Sequence, residues 1–467
     1  MTDQKHKAPP QVVDANQQVY LLDKRLGEGG QGVVYTVKDQ PKRIVKLMRR
    51  DKEAFTLRAQ FKALRRLDLR ELHVAKPISV LQAPHVGYVA EFLEDMSPIS
   101  ALITPPKEAD LALWYKETGG LKRRLRLLAH AGEALAGLHE KGLIYMDVSH
   151  NNVFVSEPQH ALEAWLIDLD NLSYDAGKTF YTQGYGAPEV VSAQEGCTSL
   201  SDAWSFAVLV WQTLTLNHPF IGDDVDDGEP ELEEQAFRGE LPWVEHSSDD
   251  SNLCTRNIPA DIVITNTLMK LARSTFEEGL KRSTARPSVR AWVTALHSAA
   301  DQTRLCHECG SSSYVNQPVC PWCDAPWTSP AHQISIKAWD PEHGFVHELE
   351  RRASLSLTDQ PLTLTLRTTR LVSGVRGRAP HVTLQALETG VKVIPQGDQQ
   401  LWYALRPAHN TPVHQRRIQT KHEPKLIGPE GVILPWDRAL ILFSDPTQGS
   451  DQTIRETRVA ELIRGVR

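Results

Sequence analysis

Hydrophobic and polar residues alternate near the start of the chain in a pattern typical of β-strands. From 19 to 37, apolar residues alternate around a group of glycines, which predicts two strands joined by a turn. Short apolar runs at 44–47 and 86–93 predict two further strands, while residues 51–67 have apolar positions at helical spacing. The polar segment 1–15 contains two prolines, and its composition predicts disorder.

Helical periodicity dominates the next part of the chain. Apolar positions recurring every three or four residues predict helices at 121–141, 202–216, 261–280 and 287–299. We therefore expect a small β-rich unit over residues 16–95, followed by a larger helical unit over residues 96–300.

Alternation of apolar and polar residues returns after a short cysteine-bearing segment at 301–328. Between Gly, Pro and Asp turns, it predicts strands at 361–372, 381–387, 390–395 and 431–443. Residues 329–467 are therefore expected to form an antiparallel, sandwich-like β domain, and the predicted fold class of the whole chain is α+β.

Length, apolar runs and net charge limit the kinds of protein that this chain can be. The chain has 467 residues, which predicts two to four domains at about 100–200 residues each. No run approaches the roughly 18 apolar residues of a membrane span, and the start of the chain lacks the apolar core of a signal peptide. We expect a cytoplasmic protein with no membrane partner. A net charge of −6 gives no reason to expect nucleic acid.

Charge is uneven along the chain, because residues 223–251 are densely acidic. Such a stretch is typical of a solvated surface insertion. The alternative is a docking surface for a basic partner.

A glycine cluster and a lysine are the first candidates for chemistry. Residues 27–35 read GEGGQGVVY, and glycines at such positions let backbone N–H groups approach an anion without a Cβ in the way. Lys46 lies in the apolar run IVKLM, where its ammonium needs a partner such as a phosphate oxygen. An ordinary hairpin turn and a lysine on an exposed strand face are the alternatives.

Two further motifs carry acidic and amide side chains. Asp147 and Asn152 lie in a short polar loop between apolar segments, and Asp168 follows a short apolar run. A carboxylate can accept a proton from a hydroxyl, while carboxylate and amide oxygens are ligands for Mg²⁺. Taken singly, each motif also fits a polar turn.

In this order and at these separations, the motifs resemble those of eukaryotic-like (Hanks-type) serine/threonine protein kinases over about residues 19–299. The resemblance implies a two-lobed fold that binds ATP and Mg²⁺ and phosphorylates a protein substrate. It implies that Asp147 is the catalytic base and that Asn152 and Asp168 hold Mg²⁺. It implies a nucleotide-binding set made of Gly27, Gly29, Gly32, Val34, Lys46, Glu91 and Leu93.

Later segments extend the resemblance. Residues 182–189 read TQGYGAPE and are similar to the end of a kinase activation segment. The resemblance pairs Glu189 with Arg286 and assigns Asp202 to supporting the catalytic loop. It makes Thr179 and Thr182, together with Tyr181, candidate autophosphorylation sites.

Several positions depart from the family pattern. The glutamate expected on the helix at 51–67 is replaced by Gln60, which can hydrogen-bond Lys46 but carries no charge; Glu53 is an alternative. The usual His-Arg before the catalytic aspartate is Tyr145-Met146, so we expect little dependence on activation-loop phosphorylation. The other two departures are Ser149 at the usual lysine position and Asp170 at the glycine of the Asp-Phe-Gly triplet.

These departures keep two other functions open. One is a nucleotide-binding pseudokinase or scaffold. The other is a small-molecule phosphotransferase, whose D-x-S-x-x-N motif this chain also resembles. The segment at 182–189 argues against it, because in the kinase resemblance such a segment shapes a peptide-binding groove that aminoglycoside-type enzymes lack.

Four of the six cysteines form two C-x-x-C pairs, Cys306/Cys309 and Cys320/Cys323. Two such pairs can close a tetrahedral site, which predicts a structural Zn²⁺ ribbon. A rubredoxin-type iron centre and a pair of redox dithiols are the alternatives.

The β-rich region at 329–467 shows no catalytic cluster; His409, His414 and His422 are scattered in a loop-like stretch. The order of kinase, ribbon and β domain resembles bacterial kinases encoded beside a von Willebrand factor A protein and a metal-dependent protein phosphatase in stress or tellurite-resistance clusters. The resemblance implies these two proteins as partners.

Overall fold

Two lobes that differ in secondary structure make up residues 10–301, and a cysteine-bearing segment and two β-sheets follow them. The structure is a computed structural model. It describes residues 10–29, 31–49, 54–339, 351–370, 372, 374–398, 400–405, 424–444 and 457–465. Among these residues, no helix combines the length and the apolar character that crossing a bilayer requires.

The first lobe is a six-stranded antiparallel sheet with one helix packed against it. Its elements are β1 (Gln11–Val13), β2 (Val19–Glu28), β3 (Gly32–Val37), β4 (Arg43–Met48), α1 (Ala54–Arg66), β5 (Ser79–Val80) and β6 (Gly87–Glu91). The sheet order is β1-β2-β3-β4-β6-β5. Helix α1 buries Leu57, Phe61 and Leu64, and the Phe61 ring meets Tyr88 of β6 edge to face at 5.0 Å. The apolar spacing that predicted this helix therefore marks its sheet-facing side.

Strand β1 lies within the segment 1–15 that we predicted to be disordered. Val12 is buried, and the Asp14 carboxylate accepts hydrogen bonds from the backbone of Asn16 (2.8 Å) and Gln18 (2.9 Å). The burial of Val12 and the turn hydrogen bonds of Asp14 therefore stabilise this stretch. The amino-acid composition of the whole segment does not reveal contacts made by two single residues. Residues 1–9 lie outside the described residues.

The second lobe is mainly helical, with a small three-stranded sheet at the junction of the lobes. The strands are β7 (Met96–Pro98), β8 (Val153–Ser156) and β9 (Ala164–Leu166). The helices are α2 (Leu111–Glu117), α3 (Gly120–Glu140), α4 (Pro188–Val191), α5 (Ser199–Thr215), α6 (Asp223–Asp226), α7 (Pro230–Phe237), α8 (Ala260–Val263), α9 (Asn266–Arg273), α10 (Gly279–Lys281) and α11 (Val289–Asp301). Helices α3 and α5 are buried along almost their whole length and form the centre of the core.

The helix predicted at 261–280 is broken into shorter pieces. Ile264 is extended, with φ −113° and ψ 121°, and the Thr265 side chain then accepts a hydrogen bond from the backbone of Leu268. This N-cap starts α9 anew, and a π-helical turn at Ser274–Glu278 separates α9 from α10. Apolar periodicity continues across the break because both pieces face the same core.

The cysteine-bearing segment is built on a short hairpin, β10 (Thr303–Leu305) and β11 (Ser312–Tyr314). Tyr314 is buried in the core of the helical lobe, and its hydroxyl donates to the Val263 carbonyl at 2.8 Å. Trp322 stacks on Tyr115 of α2 with ring centroids 5.3 Å apart. This segment is therefore attached to the helical lobe by aromatic side chains.

Two antiparallel sheets form the last part of the chain. Their strands are β12 (His332–Trp339), β13 (Arg351–Leu357), β14 (Leu362–Thr365), β15 (Pro380–Leu387), β16 (Gly390–Pro395), β17 (Trp402–Leu405), β18 (Lys425–Leu426), β19 (Val432–Leu434), β20 (Ala439–Leu442) and β21 (Thr457–Ile463). The orders are β13-β12-β21-β20-β17-β18 and β14-β15-β16-β19. One hydrophobic core draws residues from both sheets, including Ile336, Leu355 and Ile441 from the first and Val382 and Val393 from the second.

The strand predicted at 361–372 is wrong in its second half. The chain leaves β14 at Thr365 and forms helix α12 (Leu366–Arg370), which is followed by the short helix α13 (Gly374–Gly377). Thr368 and Thr369 are buried, and the Arg458 guanidinium donates to the Thr368 carbonyl at 2.8 Å. These tertiary contacts outweigh the strand preference of a Thr-rich sequence.

Arg367 of α12 and Arg378, just after α13, connect the β-sheet region to two buried carboxylates of the helical lobe. The Arg367 guanidinium lies 3.7 Å from the Asp301 carboxylate, and that of Arg378 lies 3.4 Å from the Glu133 carboxylate. These residues belong to a larger set of mostly charged and histidine side chains that contact one another at this boundary, which we call the interdomain charge cluster. Its members are Arg126, His130, Glu133, His297, Asp301, Arg367 and Arg378.

Candidate active site

The glycine turn between β2 and β3 has an open outer face. The Gly29 N–H donates to the Gly32 carbonyl at 3.0 Å, and neither Gly27 nor Gly29 has an atom within 4 Å of the place where a Cβ would stand. At Gly32 a Cβ would lie 2.3 Å from the Leu47 carbonyl oxygen, so the close approach of β3 to β4 requires glycine. The turn is therefore exposed and unobstructed on its outer side, beside a tightly packed strand pair.

Sheet register places Lys46 next to this turn. Gly27 pairs with Val34, and Val34 pairs with Lys46, so the three residues lie side by side across β2, β3 and β4. Lys46 is buried, and its Nζ lies 2.5 Å from Asp168 Oδ1 and 2.7 Å from Asp170 Oδ2. Burial by itself lowers the pKa of a lysine, but the negative charges of Asp170 and Asp168 outweigh it and raise the pKa of Lys46. The ammonium therefore stays charged inside the cleft.

The β8–β9 hairpin brings Asn152 and Asp168 to one end of a strand pair. Val153 pairs with Leu166, and the Ile167 N–H donates to the Asn152 carbonyl at 3.0 Å. Asp168 follows with a φ of 55°, which turns the chain toward Lys46. The Asn152 amide nitrogen donates to the Asp147 carbonyl at 3.1 Å, so this bond does not use the amide oxygen. Hard oxygen donors of this kind suit Mg²⁺.

Asp147 is buried in the loop between α3 and β8. Burial, reinforced by the charge of Asp168, raises its pKa to about 6. The Thr182 hydroxyl donates to Asp147 Oδ1 at 2.7 Å. This contact joins the activation segment to the catalytic aspartate predicted from the sequence, and no local pattern in the sequence indicates it.

Asp202, in the first turn of α5, supports the residues just before Asp147. Its two carboxylate oxygens accept hydrogen bonds from the backbone of Tyr145 and Met146, both at 2.8 Å. His139 Nε2 lies 2.9 Å from the same carboxylate. Met146 has a φ of 70°, so Asp202 holds the loop in a conformation that residues other than glycine rarely adopt.

Glu189, at the end of the activation segment, forms an ion pair with Arg286. The guanidinium donates to both carboxylate oxygens, at 2.6 and 2.7 Å, and lies 4.9 Å from the centre of the Trp204 ring. Such a two-pronged pair is geometrically specific. It anchors the segment that carries the candidate phosphosites, in which Thr179 and Tyr181 are exposed and Thr182 is half-buried.

The strand β6 ends at Glu91, and Leu93 follows at the junction of the lobes. The Phe92 N–H donates to the Lys42 carbonyl at 3.1 Å. Within the described part of the chain, the backbone N–H and carbonyl of Leu93 make no hydrogen bond, so both are available to a ligand.

Gln60 does not hydrogen-bond Lys46, contrary to the sequence-based expectation. Its side-chain amide donates to the backbone carbonyl of Asp170 instead. Because α1 and β4 belong to the first lobe and Asp170 to the second, this bond crosses the cleft. Glu53 lies outside the described residues. Ser149 is buried, and its hydroxyl makes no hydrogen bond to the described residues.

The four predicted cysteines converge on one point. All four Sγ atoms lie within 4.8 Å of one another, with Cys306 to Cys323 and Cys309 to Cys320 both at 3.7 Å. The two pairs are alike: the N–H of Gly310 donates to the Cys306 carbonyl at 2.9 Å, and that of Asp324 to the Cys320 carbonyl at 2.8 Å. Gly310 and Asp324 also share a positive φ, 71° and 58°. The site is therefore a matched pair of turns that can hold one metal ion.

A second group of metal-binding residue types, His130, Glu133 and His297, is held by hydrogen bonds instead. His297 Nδ1 lies 3.1 Å from the Arg126 guanidinium, which can only donate. Its Nε2–H therefore donates to Glu133 at 2.8 Å, and the ring has no lone pair left for a metal ion. The group is best described as part of the interdomain charge cluster.

A glycine turn, a buried lysine and an Asp–Asn–Asp set around one interlobe cleft define the protein kinase class, and the chain belongs to the protein kinase family, since residues 20–293 match the family model for the protein kinase domain.

Three similar proteins illustrate the range of relatives. They are ribosomal protein S6 kinase alpha-2 of Homo sapiens (38% identical over 103 residues), serine/threonine-protein kinase pkn2 of Myxococcus xanthus (30% over 213) and protein kinase YegI of Escherichia coli strain K12 (23% over 341). The alignments cover 21%, 42% and 67% of this chain, and 14%, 24% and 50% of those relatives. The chain thus matches at most half of the length of these proteins.

Proposed function

We propose that this protein transfers the γ-phosphoryl group of ATP to serine and threonine hydroxyls of protein substrates, with Mg²⁺ as cofactor. The observation that carries the proposal is the convergence of Lys46, Asp147, Asn152 and Asp168 on one cleft between the lobes.

Each group has a role that follows from its surroundings. The charged Lys46 binds phosphate oxygens, and the open glycine turn at Gly27–Gly29 covers them. Asp168 and Asn152 supply the oxygen ligands for Mg²⁺, which neutralises charge on the phosphates when bound. Asp147 orients the substrate hydroxyl and accepts its proton, for which a buried carboxylate with a raised pKa is suited. Before this, Thr182 must release Asp147 Oδ1.

Transfer of label from γ-labelled ATP tests this function. Wild type should label itself and an added protein, whereas Asp147→Ala should lose at least about a hundredfold in rate, since general-base catalysis contributes on that order. The exposed Asp250→Ala, far along the chain in the acidic insertion, is the matched control and should behave as wild type.

Other outcomes separate the alternatives. ATP binding without transfer would favour a pseudokinase scaffold, and transfer only to added metabolites would favour a small-molecule phosphotransferase. We further propose Thr179 as the main autophosphorylation site, because it is exposed while Thr182 is engaged by Asp147. Mass spectrometry of the labelled protein tests that assignment.

We also propose that the four cysteines hold one structural Zn²⁺. The Sγ–Sγ separations of 3.7 Å support it, since a tetrahedron with Zn–S bonds of about 2.3 Å has edges of about 3.8 Å. All four ligands come from the protein, so the ion would have no open position for catalysis. A metal-dependent protein phosphatase and a von Willebrand factor A protein remain proposed partners, from the order of the domains alone; mixing the purified proteins and measuring co-elution tests them.

A further inference from the structure

Lys46 contacts two carboxylates, and only one of them has a role in the proposed function. Asp168 is needed as a ligand for Mg²⁺. Asp170, whose Oδ2 lies 2.7 Å from Lys46 Nζ, is the other. The Asp170 side chain is only 3% exposed, against 26% for Asp168, so it lies on the inner side of the ammonium.

Asp170 is fixed in place by contacts to both lobes. It lies in a 3₁₀ turn, Leu169–Asn171, in which Leu169 is buried in the core and the Leu172 N–H donates to the Leu169 carbonyl at 3.0 Å. From the first lobe, Gln60 of α1 donates to the Asp170 carbonyl. The backbone of Asp170 is therefore held between the core of the helical lobe and helix α1, and its carboxylate is aimed at Lys46.

In the kinase pattern, the partner of this lysine is a glutamate on the helix that corresponds to α1. Here that position is Gln60, which makes its hydrogen bond to Asp170 rather than to Lys46. A buried ammonium needs a fixed negative charge to keep one orientation. If Asp168 serves as a ligand for the metal ion, a second carboxylate has to supply the fixed negative charge beside Lys46.

We propose that Asp170 is the positioning residue for Lys46, so that the lysine–acid pair runs from β4 to the segment after β9 instead of to helix α1. The inference rests on the proposed function and deepens it. Helix α1 keeps a part in the arrangement, because Gln60 holds the backbone from which the acid projects.

The proposal can be tested by removing the carboxylate at Asp170 and placing one at Gln60 of α1 instead. Asp170→Asn removes the carboxylate at nearly constant shape and should lower kcat/KM for ATP by about 100-fold, a loss that a misplacement of about 1 Å can cause. Gln60→Glu in the Asp170→Asn background should recover at least tenfold, whereas Gln60→Glu alone should give no gain. Asp250→Asn, at an exposed site, is the matched control.

The rescue is the decisive readout, because a residue that only stabilises the fold would not be replaced by a carboxylate on another helix. Wild-type kcat/KM in Asp170→Asn, or an equal loss in the double variant, would overturn the proposal. Tighter ATP binding in Asp170→Asn would also overturn it, since Asp170 would then compete with phosphate. If Asp170→Asn does not fold, Asp170→Gly and its pair with Gln60→Glu replace it.

Calorimetric titration with ATP and Mg²⁺ keeps this test separate from the proposed function. If wild type binds nucleotide without transferring phosphate, the kinase proposal fails, while a loss of affinity in Asp170→Asn and its recovery in the double variant still support the positioning role.

Discussion

At the scale of single residues, the catalytic loop is held by one carboxylate. Met146 adopts a left-handed backbone conformation that costs about 1–2 kcal/mol in an L-residue. Asp202 offsets this cost because it accepts hydrogen bonds from the backbone of both Tyr145 and Met146. The position of Asp147, the next residue, therefore depends on a side chain from α5.

Asp202→Ala should destabilise the protein by about 2–6 kcal/mol, because two buried N–H groups lose their acceptors at about 1–3 kcal/mol each. It should also lower kcat more than it raises KM for ATP, since Asp147 would be displaced while the phosphate-binding turn stays intact. Urea unfolding and steady-state kinetics measure the two effects. An unchanged free energy of unfolding would contradict this account of the loop.

Sequence motifs predicted the convergence of Lys46, Asp147 and Asp168, because each of these residues sits in a short pattern. They did not predict the bond from Thr182 to Asp147, whose ends are 35 residues apart. The ion pair between Lys46 and Asp170 was missed for the same reason. In the sequence, Asp170 stands out only as a replacement for the glycine of the family's Asp-Phe-Gly triplet. The structure shows that its side chain lies next to Lys46.

At the scale of elements, the cysteine-bearing segment depends on its neighbours. Two strands of three residues each cannot form a core of their own. Instead, Tyr314 and Trp322 add to the core of the helical lobe, next to α2 and α8. The geometry of the two turns should therefore affect the stability of the lobe as well as metal binding.

Cys306→Ser and Cys320→Ser should each reduce bound zinc from about one ion per chain to near zero, because each removes one of four ligands. Each should also lower the melting temperature of the kinase domain by several degrees, at about 2–4 °C per kcal/mol for a domain of this size. Elemental analysis and calorimetry measure these changes.

Cys254→Ser, which changes a half-buried thiol outside the four-cysteine site, is the control. Zinc content equal to wild type in both cluster variants would refute the ribbon, and iron in the wild type would replace zinc with the rubredoxin alternative.

Elements with a long, regular pattern were predicted well, and elements shaped by distant contacts were not. Helix α3 and strands β15 and β16 match the predicted positions to within one residue at each end, because each has a regular apolar pattern bounded by turn residues. Helix α12 was predicted as strand because its Thr-rich sequence favours extended backbone, whereas Arg458 and the burial of two threonines favour the helix.

At the scale of the whole molecule, the interdomain charge cluster links the helical lobe to the β-sheet region through the ion pairs of Arg367 with Asp301 and of Arg378 with Glu133. His297 receives a hydrogen bond from Arg126 and donates one to Glu133, so it is neutral. Burial, reinforced by the positive charges of Arg367, Arg126 and Arg378, lowers the pKa of His297 well below its usual value; Asp301 opposes this shift. His130, within the same cluster, has its pKa lowered well below the usual value for the same main reason, burial.

This arrangement predicts that acid weakens the protein. The folded state binds fewer protons than the unfolded state below the unfolded pKa of about 6.5, so the free energy of unfolding falls as pH falls below that value. The loss approaches about 1.4 kcal/mol per pH unit for each such histidine.

Melting temperatures between pH 8 and pH 5 test this dependence. His297→Gln keeps hydrogen-bonding capacity and removes the titration, so its melting temperature should vary less with pH than that of wild type. His160→Gln changes an exposed histidine and should follow wild type. Equal pH dependence in all three proteins would show that His297 is not the responsible group.

Strand β21 lies in the middle of its six-stranded sheet, between β12 and β20, although it follows the other five strands of that sheet in sequence. During synthesis, the two flanking halves of that sheet emerge from the ribosome without the strand that joins them, while the kinase domain is already complete. Domains generally fold in the order in which they are made. The catalytic lobes are therefore expected to fold before the six-stranded sheet is complete, because that sheet needs β21 to join its two halves.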